Sequence, residues 1–113
     1  MTPAPLSPPV YHILLALGGE VLHGYGIMQR FEDLLAGEDR LLPGTLYATL
    51  ARMADAGLIE EAPAPRGDES AGPPRRHYRV TARGRVAAEA ETERMRRLVA
   101  VARRRVWQPG VAR

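Results

Sequence analysis

Between Gly57 and Thr81 the hydrophobic period of this chain changes twice, and that change constrains the fold more than any other feature. Upstream, apolar residues recur at helical spacing in three segments. "PPVYHILLALGG" carries Val10, Ile13, Leu14 and Leu17 on one face, with Pro8-Pro9 fitting a helix start and Gly18-Gly19 its stop. "VLHGYGIMQRFEDLLAGED" places Ile27, Met28, Phe31, Leu34 and Leu35 on another stripe that Gly37 ends. "PGTLYATLARMADAG" aligns Leu46, Leu50 and Met53, opening on Pro43 and closing on Gly57. Leu42 stands where a Ser, Thr or Asp cap is usual, so Thr45 is expected to supply part of the capping. Then "GLIEEAP" reads as a short strand and "APRGDESAGPP" as a turn-rich tip. "RRHYRVT" alternates, with Tyr78 and Val80 on one side and His77 and Arg79 on the other, so the segment forms a hairpin. From Thr81, a plausible N-cap, a long stretch free of proline and rich in Ala, Glu, Arg and Leu is helical again. Glu93 and Arg97 add i,i+4 support there.

Helix, helix, helix, hairpin, long helix is a mainly α fold with a small β-hairpin, the layout of a winged helix-turn-helix. The expected division is a flexible arm over 1–7, a winged helix over 8–80, a long C-terminal helix over 81–107, and a tail over 108–113. A chain of 113 residues, 45% of them hydrophobic, suits one globular domain.

Composition narrows the chemistry. There is no cysteine, which excludes disulfides, thiol nucleophiles and cysteine-based metal sites. No apolar run reaches the roughly 20 residues of a membrane span, and "MTPAPLSPPV" lacks a basic leader segment. A soluble intracellular protein is therefore expected, with no membrane partner. His12, His23 and His77 are scattered, and no phosphate-binding glycine loop follows a strand. His23, just before Gly24-Tyr25-Gly26, reads as a capping or turn residue. No enzymatic activity, cofactor or metal is expected.

All sixteen basic residues are arginine, the formal net charge is +3, and the pI is about 9.9. The bland reading of arginine in place of lysine is the codon bias of a GC-rich genome, but a basic small domain still attracts anionic surfaces. From Arg66 to Arg85, six arginines (66, 75, 76, 79, 83 and 85) stand against Asp68 and Glu69, a local excess of four positive charges. Arg83 and Arg85 occupy a first helical turn, where the macrodipole disfavours cations, and a nearby phosphate would explain them.

In a helix-turn-helix the second helix of the motif enters the major groove, with its N-terminal turns nearest the bases. In the helix Pro43–Ala56, Gly44, Thr45, Ala48 and Thr49 are small enough for close approach. Tyr47 can reach a phosphate or sugar, and Arg52 the backbone or a guanine edge. Arg75, Arg76, His77 and Arg83 complete the candidate DNA-binding set. The bland alternative is a surface helix with Tyr47 packed at the edge of the core, beside a solvated basic hairpin. In the last helix, Met95, Leu98, Val99, Ala102 and Val106 form an apolar stripe that one small domain has little core to cover. A second copy is expected to cover it. Ala88 is a further apolar position on that helix.

The fragments "HGYGI", "PGTLYATLARMADAGLIEE" and "PPRRHYRVTARGR" together resemble PadR-like transcriptional regulators. The resemblance runs from Val10 to Arg85, with the last helix compatible. It implies a winged-helix DNA-binding domain and a C-terminal dimerisation helix. It also implies a homodimer that represses transcription from a palindromic operator in double-stranded DNA. It implies effectors that include phenolic acids and hydrophobic drugs, for which Met95 and Trp107 are candidate lining residues. Three positions depart from the family pattern. Leu42 stands where a capping residue is frequent, Arg76 where lysine is frequent, and Met95 near where an aromatic is frequent. The rival readings are a winged helix that docks on a protein partner, and an architectural protein that binds DNA with little sequence preference.

Overall fold

The computed structural model describes residues 4–67 and 75–106. Four helices and three strands follow in the order α1 (Pro8–Leu17), β1 (Leu22–His23), α2 (Gly24–Leu34), α3 (Pro43–Asp55), β2 (Ile59–Ala62), β3 (His77–Val80) and α4 (Ala82–Arg105). The expected architecture is present: three short helices, a hairpin and one long helix. The hairpin pairs Ile59 with Val80 and Ala62 with His77.

A third strand was not expected. Leu22 and His23 pair antiparallel with Tyr78 and His77, so the sheet order is β1-β3-β2 and β3 is central. Two residues are too few to show a period of two, which is why the sequence pattern hides this strand.

The helix ends follow from local chemistry. Pro8 and Pro43 sit at first-turn positions whose N–H groups need no intrahelical acceptor. His23 caps α2: its Nδ1 accepts the Gly26 N–H at 3.0 Å. Thr81 caps α4, its Oγ1 accepting from Gly84 N–H at 3.0 Å while donating to the Gly57 carbonyl at 2.6 Å. Thr45 makes no capping bond, since no side chain caps α3. Gly57, at φ +77°, reverses the chain after α3. Its N–H donates to Ala54 O at 3.1 Å, and Leu58 N–H to Met53 O at 2.9 Å. That pair of bonds is a Schellman closure, which needs a left-handed residue at Gly57.

The core joins Ile13, Leu14 and Leu17 of α1, Ile27 and Phe31 of α2, Leu46, Leu50 and Met53 of α3, and Ile59 of β2. These are the stripes read from the sequence, with one exception. Leu34 is 58% exposed, and Leu35, where the chain leaves the helix, packs against the core in its place.

The segment before α1 is not wholly a free arm. Leu6 packs against the core, and its N–H donates to Glu91 Oε1 of α4 at 3.1 Å. Glu91 is only 5% exposed and also pairs with Arg94. The Arg94 hydrogen bond, together with the Leu6 N–H, holds the Glu91 carboxyl below the usual carboxylate range. Tyr11 Oη lies 2.6 Å from Thr92 Oγ1, which itself donates to Ala88 O at 2.8 Å, so Tyr11 is the donor of that pair. Through these contacts the first half of α4 is fixed on α1. Among the described residues, no helix is long and apolar enough to cross a membrane.

Candidate nucleic-acid interface

Helix α3 has three faces. Leu46, Thr49, Leu50 and Met53 are buried. Thr45, Ala48, Arg52 and Asp55 are exposed on the opposite side. Tyr47, Ala51 and Ala54 lie between, and with Asp55 and Leu50 they form one wall of a cleft of about 770 Å³. The other walls come from β1 and α2 (His23, Gly24, Tyr25) and from the wing (Glu61, Arg75, Arg76, Tyr78).

The structure sorts the expected DNA-binding residues. Gly44, Thr45, Ala48 and Arg52 share the open side of α3. Tyr47 is 56% exposed yet anchored: its ring lies over Gly24, where a Cβ would meet Tyr47 Cε1 at 2.8 Å. The packing at the edge of the core is thus present, while much of the ring stays exposed. Arg75 and Arg76 line the same cleft as Tyr47.

Three expected residues are placed differently. Thr49 is fully buried, with Oγ1 accepting from Arg52 Nη2 at 3.3 Å. It follows Leu46 by three residues and precedes Met53 by four, so helical geometry turns it inward despite its polarity. His77 is 5% exposed. It alternates away from Tyr78 as expected, but the unforeseen strand β1 sets His23 directly across from it, and the two rings meet edge-on at 5.2 Å. Its Nδ1 lies 3.0 Å from Arg75 O. Arg83 does not need a phosphate to explain it. Its Nη1 donates to Ala56 O at 3.3 Å, so the cation sits at the negative end of α3.

The wing's charge is partly answered from within. Arg79 Nε pairs with Glu60 at 2.7 Å, and Arg76 Nε lies 3.8 Å from Glu61. Both are exposed cross-strand pairs and contribute little to stability. Among the described residues Arg75 has no carboxylate within ion-pairing distance. Asp68 and Glu69, expected at the hairpin tip, lie outside the described residues, as does Trp107.

On α4, burial stops early. Gly84, Ala87 and Glu91 are buried. Beyond them Leu98 (54% exposed), Val99 (52%) and Val106 (48%) face outward, with Met95 and Ala102 half-buried. The single chain leaves this stripe largely uncovered.

Sequence reading missed His23 and Tyr25 as parts of the cleft. "HGYGI" was legible as a helix start, but only the return of β3 beside β1 brings that start against the wing.

A model of the transcriptional regulator PadR-like family matches residues 13–90. No curated protein matches the chain. Several solved structures share its fold. A PadR family transcription regulator from hypervirulent Clostridium difficile R20291 is 24% identical, with TM-score 0.70 over 87% of this chain and 97% of that one. A PadR-like transcription factor from Bacteroides fragilis is 24% identical, with TM-score 0.67 over 84% and 86%. Bacillus subtilis PadR in complex with operator DNA is 20% identical, with TM-score 0.64 over 91% of this chain and 63% of that one. With the match spanning more than half of its length, the chain belongs to the PadR-like family, a family of transcriptional regulators and not of enzymes.

Proposed function

We propose that this regulator binds a palindromic operator as a homodimer and represses transcription from it. The observation that carries the reading is the pairing of two surfaces on one side of the fold. The open face of α3 presents Gly44, Thr45 and Ala48, and its flank shares a cleft with Arg75 and Arg76 of the wing. Small side chains let a helix approach base edges, and flanking arginines hold phosphates. The solved complex of Bacillus subtilis PadR with operator DNA supports the same use of a shared fold. Such a protein works in the compartment that holds the DNA, in a prokaryote the cytoplasm.

The uncovered stripe of α4 supports the dimer. An isologous contact along Leu98, Val99, Ala102 and Val106 spaces two copies of α3 about one DNA turn apart, roughly 34 Å. A small hydrophobic or phenolic effector entering this seam at Met95 would change that spacing and release the operator.

The test is to enrich duplexes from a random-sequence pool with the purified protein and titrate the product over a range of salt. An inverted repeat bound with steep salt dependence is expected. A winged helix that docks on protein would enrich no duplex, and an architectural protein would enrich no common sequence.

A further inference from the structure

Tyr25 is an exposed aromatic that the fold nevertheless holds in place. It stands in the first turn of α2, 55% exposed, at the mouth of the cleft between α3 and the wing. An exposed tyrosine normally wags, but this one is held twice. Its ring stacks on His23, with centroids 6.4 Å apart and planes inclined by 25°. Its hydroxyl oxygen accepts from Gln29 Nε2 at 3.2 Å, one helical turn along. With its oxygen accepting there, the hydroxyl keeps its proton for an acceptor outside the protein.

Arg75 reaches the same place from the other side. Its Nη1 lies 3.3 Å from His23 Nε2. His23 Nδ1 already accepts from Gly26 N–H, so a neutral His23 ring carries its proton on Nε2. That nitrogen offers Arg75 no lone pair, and no carboxylate is within ion-pairing distance among the described residues. Two groups from different elements, one neutral and one cationic, thus lie on either side of one imidazole with donors free for an outside acceptor.

We infer that Tyr25 and Arg75 form a clamp for a single phosphodiester of duplex DNA. This rests on the DNA-binding reading above. With the open face of α3 in the major groove and the wing outside it, the strand bordering the groove passes along the flank of α3. That flank is the wall of this cleft. A phosphodiester, with one charge and two acceptor oxygens, takes one hydrogen bond from the Tyr25 hydroxyl and a charge-assisted one from the guanidinium. The His23 ring supports the Tyr25 ring, and Gln29 positions the hydroxyl. Neither touches the phosphate.

The experiment uses a duplex enriched by the wild-type protein from a random pool. Tyr25→Phe is expected to weaken binding about tenfold at every salt concentration with an unchanged salt slope, because a neutral donor displaces no counterion. Arg75→Gln is expected to lower the slope by about one. Gln29→Ala, which keeps the hydroxyl, gives a smaller loss that vanishes in a Tyr25→Phe background. Single methylphosphonate substitutions then locate the contact. At one position in each half-site the substitution weakens the wild type more than it weakens Tyr25→Phe, which has only the Arg75 contact left to lose. Wild-type and Tyr25→Phe proteins that bind the enriched duplex equally at every salt overturn the clamp while leaving DNA binding intact. So does a Tyr25→Phe deficit that persists at every methylphosphonate position. A wild-type protein that enriches no duplex overturns the DNA-binding reading and the clamp together.

Discussion

Gly84 lies so close to Leu58 that a Cβ at position 84 would overlap the Leu58 carbonyl oxygen, and it would also stand 2.8 Å from Val80 Cγ1. This is where α4 is seated on the turn that follows α3. The Leu58 carbonyl accepts from Thr81 N–H at 3.1 Å, so it cannot retreat without breaking the junction. Gly84→Ala is therefore expected to destabilise the protein by about 1–3 kcal/mol, as over-packing does. For a chain of this size that lowers the melting temperature by several degrees. A variant that melts with the wild type would show that the close approach is not maintained.

The open face of α3 can be tested without disturbing the core. Ala48 is exposed and Glu is a good helix former, so Ala48→Glu is expected to melt like the wild type. It places an anion on the face proposed to enter the groove, and binding to the enriched duplex should be lost. Full-strength binding by a folded variant would remove this face from the groove.

The cross-strand pair Arg76–Glu61 gives opposite expectations for its two members. Arg76→Ala should weaken binding to all sequences by a similar factor and lower the salt slope by about one. Glu61→Gln should tighten it, because a carboxylate 3.8 Å from the arginine competes with phosphate. Titration of both variants over a salt series checks the pair. A change in base preference with no change in slope would contradict the assignment of the wing to the backbone.

Leu98 is 54% exposed in the single chain, so Leu98→Asp should leave the protomer folded. In a paired seam the same charge costs several kcal/mol if it stays ionised and unpaired. Sedimentation across a concentration series should show a wild-type dimer and a monomeric variant, with operator binding collapsing in parallel. A monomeric wild type that still binds a palindrome tightly would contradict the seam.

Glu91 makes stability depend on pH. Its carboxyl is held below the usual range by the Arg94 hydrogen bond and the Leu6 N–H. Its contribution is therefore complete above the ordinary glutamate value of about 4.3 and is lost as pH falls through the lowered native value. Glu91→Gln should melt below the wild type at neutral pH, and the gap should close in acid. A gap that stays constant across this range would mean that the carboxylate charge is not what holds the N-terminal segment to α4.

The order of elements and most of the core were determined by sequence alone. Helical stripes such as Ile13, Leu14 and Leu17 survive into the fold because burial of apolar faces dominates the energetics of a small domain. Caps at His23 and Thr81, and the reversal at Gly57, were equally legible, because a cap is decided by residues within one turn. The family match to residues 13–90 agrees with motifs that can be read by eye.

What needed the tertiary structure was every placement that depends on residues distant in sequence. Strand β1 exists only because β3 returns beside Leu22 and His23. That return sets His23 across from His77, which is buried although the sequence placed it among the DNA-binding residues. Helix α4 supplies Arg83 to the end of α3, answering a charge that the sequence left to a phosphate. The cleft itself joins α2, α3 and the wing, and its residues run from His23 to Tyr78. No local pattern can announce such a site, because its geometry is set by long-range packing. The residue types alone name the chemistry, and the fold decides which of them meet.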